Sequence, residues 1–120
     1  MTAPGRIEAT ACTVVCRVDD IQVESGVCAL VRGEAIAIFR TYDGNVYAIS
    51  NYDPCSGASV LARGIVGTRG EIPVVSSPMH KQAFDLRNGQ CLDDAAVHVP
   101  SYDVQVTDGH VRVGLPRESP

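Results

Sequence analysis

The chain predicts an all-β domain, with antiparallel sheets forming a small sandwich or barrel, and three observations carry that expectation. Apolar residues come in short Val- and Ile-rich runs of strand length, as in Val27–Val31, Ala35–Phe39 and Val46–Ile49. The runs are punctuated by pairs such as Asp43-Gly44, Asn88-Gly89 and Asp108-Gly109, which accept the positive φ of tight turns. No amphipathic helical repeat intervenes, and strands that follow one another directly build sandwiches or barrels.

Thr13 to Val18 reads as a strand, followed by a turn through Asp19-Asp20. Val27 to Arg32 and Glu34 to Arg40 flank Gly33 and predict a tight hairpin. Tyr42 to Asn45 forms the next turn. Val46 to Ser50 then alternates, with Val46 and Ala48 on one face and Tyr47 and Ile49 on the other. Ser59 to Arg63 suggests a helical turn closed by Gly64. Ile72 to Ser76 is a strand, and Gln82 to Leu86 its hairpin partner, turning at Arg87-Asn88-Gly89. A last hairpin joins Val104–Val106 to Val111–Val113 through Thr107-Asp108-Gly109. Residues 1–9 and 116–120 read as tails, because Pro116 and Pro120 cannot donate to a ladder. The domain is therefore expected to span residues 10–115.

Composition narrows the functional classes. The 120 residues suit one domain that buries roughly two-thirds of its unfolded surface. A formal net charge of −4 offers no electrostatic footprint for nucleic acid and no basic face for anionic lipid. Met1 to Arg6 lacks the apolar stretch of a signal peptide, and no run reaches membrane-spanning length. The five cysteines include no Cys-x-x-Cys pair, and Cys12, Cys16 and Cys28 fall in strand-like apolar runs as small hydrophobes. A disulfide framework is not expected, and the reducing cytoplasm is the expected compartment.

Two loops concentrate the remaining chemistry. The first reads Asn51-Tyr52-Asp53-Pro54-Cys55-Ser56-Gly57-Ala58, and the second runs from Ser77-Pro78-Met79-His80-Lys81-Gln82 into Phe84-Asp85-Leu86 and Gly89. In frame they resemble the cluster-binding loops of Rieske (ISP-type) domains, which read Cys-x-His and Cys-x-x-His. There, two thiolates hold one iron and two imidazoles the other. Here Asp53 stands at the first cysteine, Cys55 at the first histidine, Ser77 at the second cysteine and His80 at the second histidine. A carboxylate, a thiol, a hydroxyl and an imidazole are not the two-sulfur, two-nitrogen set. The frame predicts the fold, and the altered ligands argue against the cluster.

A narrower resemblance fits that combination. Gly26–Leu30, Ala37–Arg40, Asn51–Pro54, Leu61–Gly67, Ser77-Pro78 and Phe84-Asp85-Leu86 are similar to the small subunit of cytoplasmic NAD(P)H-dependent nitrite reductase (the NirD type). That family is a Rieske-like domain without its cluster ligands. One departure is Thr13, where the family often carries Trp. The resemblance implies a large-subunit partner carrying FAD, sirohaem and an iron–sulfur cluster, which reduces nitrite to ammonium. It implies no cofactor in this chain.

Other chemistry in these residues defines the alternatives. A Rieske-type ferredoxin feeding an oxygenase is the first. A stand-alone metal site is the second, since Asp53, Cys55 and His80 with a water could complete a zinc tetrahedron. Cys55 and His80 could also pair as thiolate and imidazolium, although no oxyanion hole is marked. His98 and His110 read as surface or turn residues. Asp53 and Ser77 can instead fix their loops by accepting backbone N–H bonds, as a staple in place of metal. The basic residues Arg63, Arg69, Lys81 and Arg87 collect around the loops in sequence and are candidates for docking the large subunit.

Overall fold

A computed structural model describes residues 12–117. Its main feature is a six-stranded antiparallel sheet built from β1 (Thr13–Arg17), β2 (Ser25–Val31), β3 (Glu34–Arg40), β4 (Val46–Ser50), β10 (Ser101–Thr107) and β11 (His110–Pro116). The strand order is β1-β11-β10-β4-β3-β2. The outer strands β1 and β2 touch, so the sheet curls into a nearly closed barrel. Between β4 and β10 the chain leaves the barrel to form β5 (Tyr52–Asp53) paired with β6 (Ala58–Ser59), and a second sheet of β7 (Ile65–Arg69), β8 (Ile72–Ser76) and β9 (Ala83–Asp85).

Alternation along β3 explains why the two units hold together. Ile36 and Ile38 point into the barrel with Ile21, Val31, Ala48, Tyr102, Val111 and Val113. Ala37 and Phe39 point the other way, into a second core with Ile49, Leu61, Val66, Val75, Phe84, Leu86, Cys91 and Val99. The strand has no solvent face, so its sequence is an unbroken apolar run rather than an alternating one. Each fully buried Ile or Phe contributes on the order of 1.5–3 kcal/mol. The two-faced reading of Val46 to Ser50 holds for the same reason: Ala48 joins the barrel core and Ile49 the second core.

The turns form where the residues favour them. Arg32-Gly33 joins β2 to β3 with φ of 50° and 80°, and Asp108-Gly109 joins β10 to β11 with φ of 53° and 78°. Paired positive φ matches the right-handed twist of the flanking strands. The inserted segment is fastened at its root. Ser50 N–H donates to Pro100 O at 2.9 Å and Asn51 N–H to Ala35 O at 3.0 Å. The buried Asn51 side chain accepts from Ala62 N–H at 2.7 Å.

Several expectations need correction. Ile65 to Arg69 is a strand that the pattern did not mark, because Gly67 interrupts it and only Val66 is buried. The helical turn shrinks to a 3-10 turn over Leu61–Arg63, capped by Gly64 N–H donating to Leu61 O at 2.9 Å. Both strands of the last hairpin are longer than expected. Pro116, assigned to the C-terminal tail, instead ends β11 opposite Tyr102, and the ladder closes through Arg117 N–H to Ser101 O at 2.8 Å. Cys28 lies on the outer face of β2 and is exposed, not a buried hydrophobe. Of the expected tails, 1–9 and 116–120, residues 1–9 and 118–120 lie outside the described residues.

Candidate functional site at the paired loops

The loops arise at matching ends of two hairpins. The first spans the β5–β6 turn, where Asp53 pairs with Ala58, and Gly57 N–H closes on Asp53 O at 2.8 Å. The second follows β8. Ser77 N–H donates to Gln82 O at 2.9 Å and Lys81 N–H to Ser77 O at 2.9 Å, with Lys81 at φ 64°. A left-handed lysine costs about 1–2 kcal/mol, so the surrounding bonds must hold this turn in place.

What joins the loops is a hydrogen bond between two of the altered positions. The Ser77 hydroxyl donates to Asp53 Oδ2, and both residues are buried. Asp53 Oδ1 accepts from Cys55 N–H at 2.9 Å. The same Ser77 oxygen accepts from Met79 N–H at 3.2 Å and His80 N–H at 3.4 Å. One carboxylate and one hydroxyl therefore organise both loops and tie them together. Burial pushes the Asp53 carboxyl up, but hydrogen bonds from Ser77, Cys55 N–H and Ser56 outweigh it and leave the group below the ordinary carboxylate value. Asp53 is an anion held by donors.

These residues do not fit an iron–sulfur cluster. The two positions that would supply thiolates carry oxygen, and those oxygens bond to each other. Among the described residues no three His, Cys, Asp or Glu side chains stand close enough to hold a metal ion, so Asp53, Cys55 and His80 are not brought together as a zinc site. The Cys55 thiol is half-buried and pushed up, first by burial and then by the charge of Asp53. That direction disfavours the thiolate that pairing with His80 would need, and His80 itself is exposed.

The four basic candidates separate. Arg63 lies just before Gly64, whose backbone abuts Ser76 O, and Lys81 is in the second loop, so both border the site and both are exposed. Arg69 is four residues along β7 from Ile65, and its guanidinium is held by Asp93 at 3.0 Å. Arg87 follows β9 at its far end and grips the buried Asp85 through Nε at 3.0 Å and a terminal nitrogen at 2.9 Å. That bond to Asp85 raises the Arg87 guanidinium further. Of the two flagged histidines, His98 is exposed, while His110 is half-buried at the start of β11. Tyr52, Ile65 and Met79 carry no chemistry that marks them in the sequence, yet the fold leaves all three exposed in segments adjoining the stapled pair. The available signal was their large apolar character within or next to the loops.

A barrel with an inserted small sheet, its loops paired at one end, is the architecture of a Rieske-like domain. Residues 11–114 match the family model described as a Rieske-like [2Fe-2S] domain. Within that class the chain belongs to the nitrite reductase small-subunit family. It is 48% identical over 101 residues to the nitrite reductase (NADH) small subunit of Salmonella typhimurium, covering 82% of this chain and 93% of that one. A crystal structure titled as a putative NADH-dependent nitrite reductase small subunit from Mycobacterium tuberculosis superposes with a TM-score of 0.83 at 45% identity, over 91% of this chain and 96% of that one. A nitrite reductase [NAD(P)H] large subunit from Klebsiella oxytoca also contains a matching stretch, 40% identical over 100 residues, which spans 83% of this chain and 10% of that one.

Proposed function

We propose that this chain is the small, cofactor-free subunit of a cytoplasmic NAD(P)H nitrite reductase and assists a large subunit that reduces nitrite to ammonium. The observation that carries the reading is the Asp53–Ser77 hydrogen bond, which occupies both thiolate positions with oxygen and gives the loops a covalent-free staple. FAD, sirohaem and an iron–sulfur cluster belong to the large subunit, so the redox steps run there. The Klebsiella protein, in which a similar domain lies within the large polypeptide, supports the large subunit as partner. The small subunit then acts by contact, stabilising or positioning that partner, and Arg63 and Lys81 at the loops are its charged docking residues. Arg69 and Arg87, each held by a carboxylate, serve that surface through the stability of the small sheet.

The test is co-expression with the large subunit, measuring nitrite consumption and ammonium formation with and without this chain. Activity that rises when the chain is present supports the reading. Activity and yield of the large subunit unchanged by its removal would sink it. Purified alone, the chain should contain neither iron nor acid-labile sulfide; a stoichiometric cluster would favour the ferredoxin alternative instead.

A further inference from the structure

We infer that the paired loops bind the large subunit through an apolar anchor of Tyr52, Ile65 and Met79, bordered by the cations Arg63 and Lys81. This rests on the proposed partner and specifies how it is recognised. All three residues neighbour the staple along the chain or across a ladder: Tyr52 precedes Asp53, Met79 lies two residues after Ser77, and Ile65 pairs with Ser76, the residue before Ser77. They are 48%, 76% and 58% exposed for Tyr52, Ile65 and Met79 respectively, although the neighbouring backbone is buried or tied down. Pro54 and Pro78 between them are exposed as well. Large apolar groups left in water on the segments that flank one buried staple fit an interaction site better than a solvated rim.

The proposed function supplies the occupant, and the charge pattern describes the face it would meet. The chain carries a net charge of −4, yet the exposed charges flanking these loops at Arg63 and Lys81 are positive, and the loop acid Asp53 is buried against Ser77. Asp94 acts on Cys55, which places an acid on the first-loop flank. The matching surface on the large subunit is an apolar hollow with carboxylates on the Arg63–Lys81 side. A preorganised anchor spends little ordering entropy on binding, which gives the buried staple a purpose beyond stability.

The experiment uses the full chain and the intact, tagged large subunit, with affinity read by titration at two salt concentrations. Ile65→Asp and Met79→Asp are surface changes, and thermal unfolding checks that the variants fold. Each should weaken binding by at least about tenfold, while Leu30→Asp and Leu115→Asp, equally apolar and exposed elsewhere, should stay within about twofold. Lys81→Glu should weaken binding most at low salt. If the wild-type chain binds and the Ile65 and Met79 variants bind equally well, the anchor lies elsewhere and the inference falls alone. If the wild-type chain fails to bind the large subunit, the proposed function falls and takes the inference with it.

Discussion

A carboxylate in a former cysteine position has to satisfy a buried charge, and Asp53 does so with donors from both loops. Asp53→Ala leaves the Ser77 hydroxyl and Cys55 N–H without their acceptor, at a cost of about 2–4 kcal/mol. Thermal unfolding should fall by on the order of 10 °C, and hydrogen exchange should accelerate in both loops together. Asp53→Asn keeps the volume and one acceptor and should lose less. The pH dependence follows from the lowered carboxyl value. Folding favours the ionised form, so the advantage of Asp53 over Asn is complete above the unfolded-chain value of about 3.9 and fades as pH falls through the lower folded value. A gap between the two proteins that stays constant from pH 6 to pH 2.5 would contradict the staple.

At the scale of the element, the inserted sheet depends on close backbone approaches as much as on apolar area. Gly89 closes the turn after β9 at φ 80°, and a Cβ there would stand 2.0 Å from Val99 O. Gly44, in the β3–β4 turn at φ 87°, has open space around it. Alanine at Gly44 meets only the left-handed penalty of about 1–2 kcal/mol. Alanine at Gly89 meets that penalty and a backbone clash, and should cost at least about 3 kcal/mol. Chemical denaturation of the two variants checks the difference; equal losses would mean that the 89–99 contact yields freely. The Arg87–Asp85 pair belongs to the same turn. Its carboxylate is buried while the guanidinium is half in water, so Arg87→Met should destabilise through the stranded Asp85 charge more than through the lost pair itself.

For the whole molecule, the retained frame makes a prediction of its own. If only the ligand set separates this domain from cluster-bearing relatives, then Asp53→Cys, Cys55→His and Ser77→Cys together with the existing His80 should restore two thiolates and two imidazoles. Reconstitution with iron and sulfide should give that triple variant a visible absorption band, and the wild type none. A folded triple variant that stays colourless would mean the loops have diverged in geometry as well as in chemistry. Among the described residues no helix is long and apolar enough to cross a membrane.

The sequence by itself determined the all-β class, because strand-length apolar runs and Asp-Gly turns depend only on local chemistry. The long run in β3 and the alternation in Val46 to Ser50 were legible for the same reason. So were the four altered ligand positions, which need only residue identity and frame. Strand β7 was not legible, since Gly67 and a single buried Val66 leave almost no local pattern. Tertiary structure alone decided the rest. Pairing across β7 and β8 set Ile65 beside Ser76, and folding brought Asp53 within bonding reach of Ser77, 24 residues later. It also divided four basic residues that the sequence had grouped, giving Arg69 and Arg87 to Asp93 and Asp85. The physical reason is common to these cases: a side chain's partner is set by which strands become neighbours, and that follows from burying two cores at once.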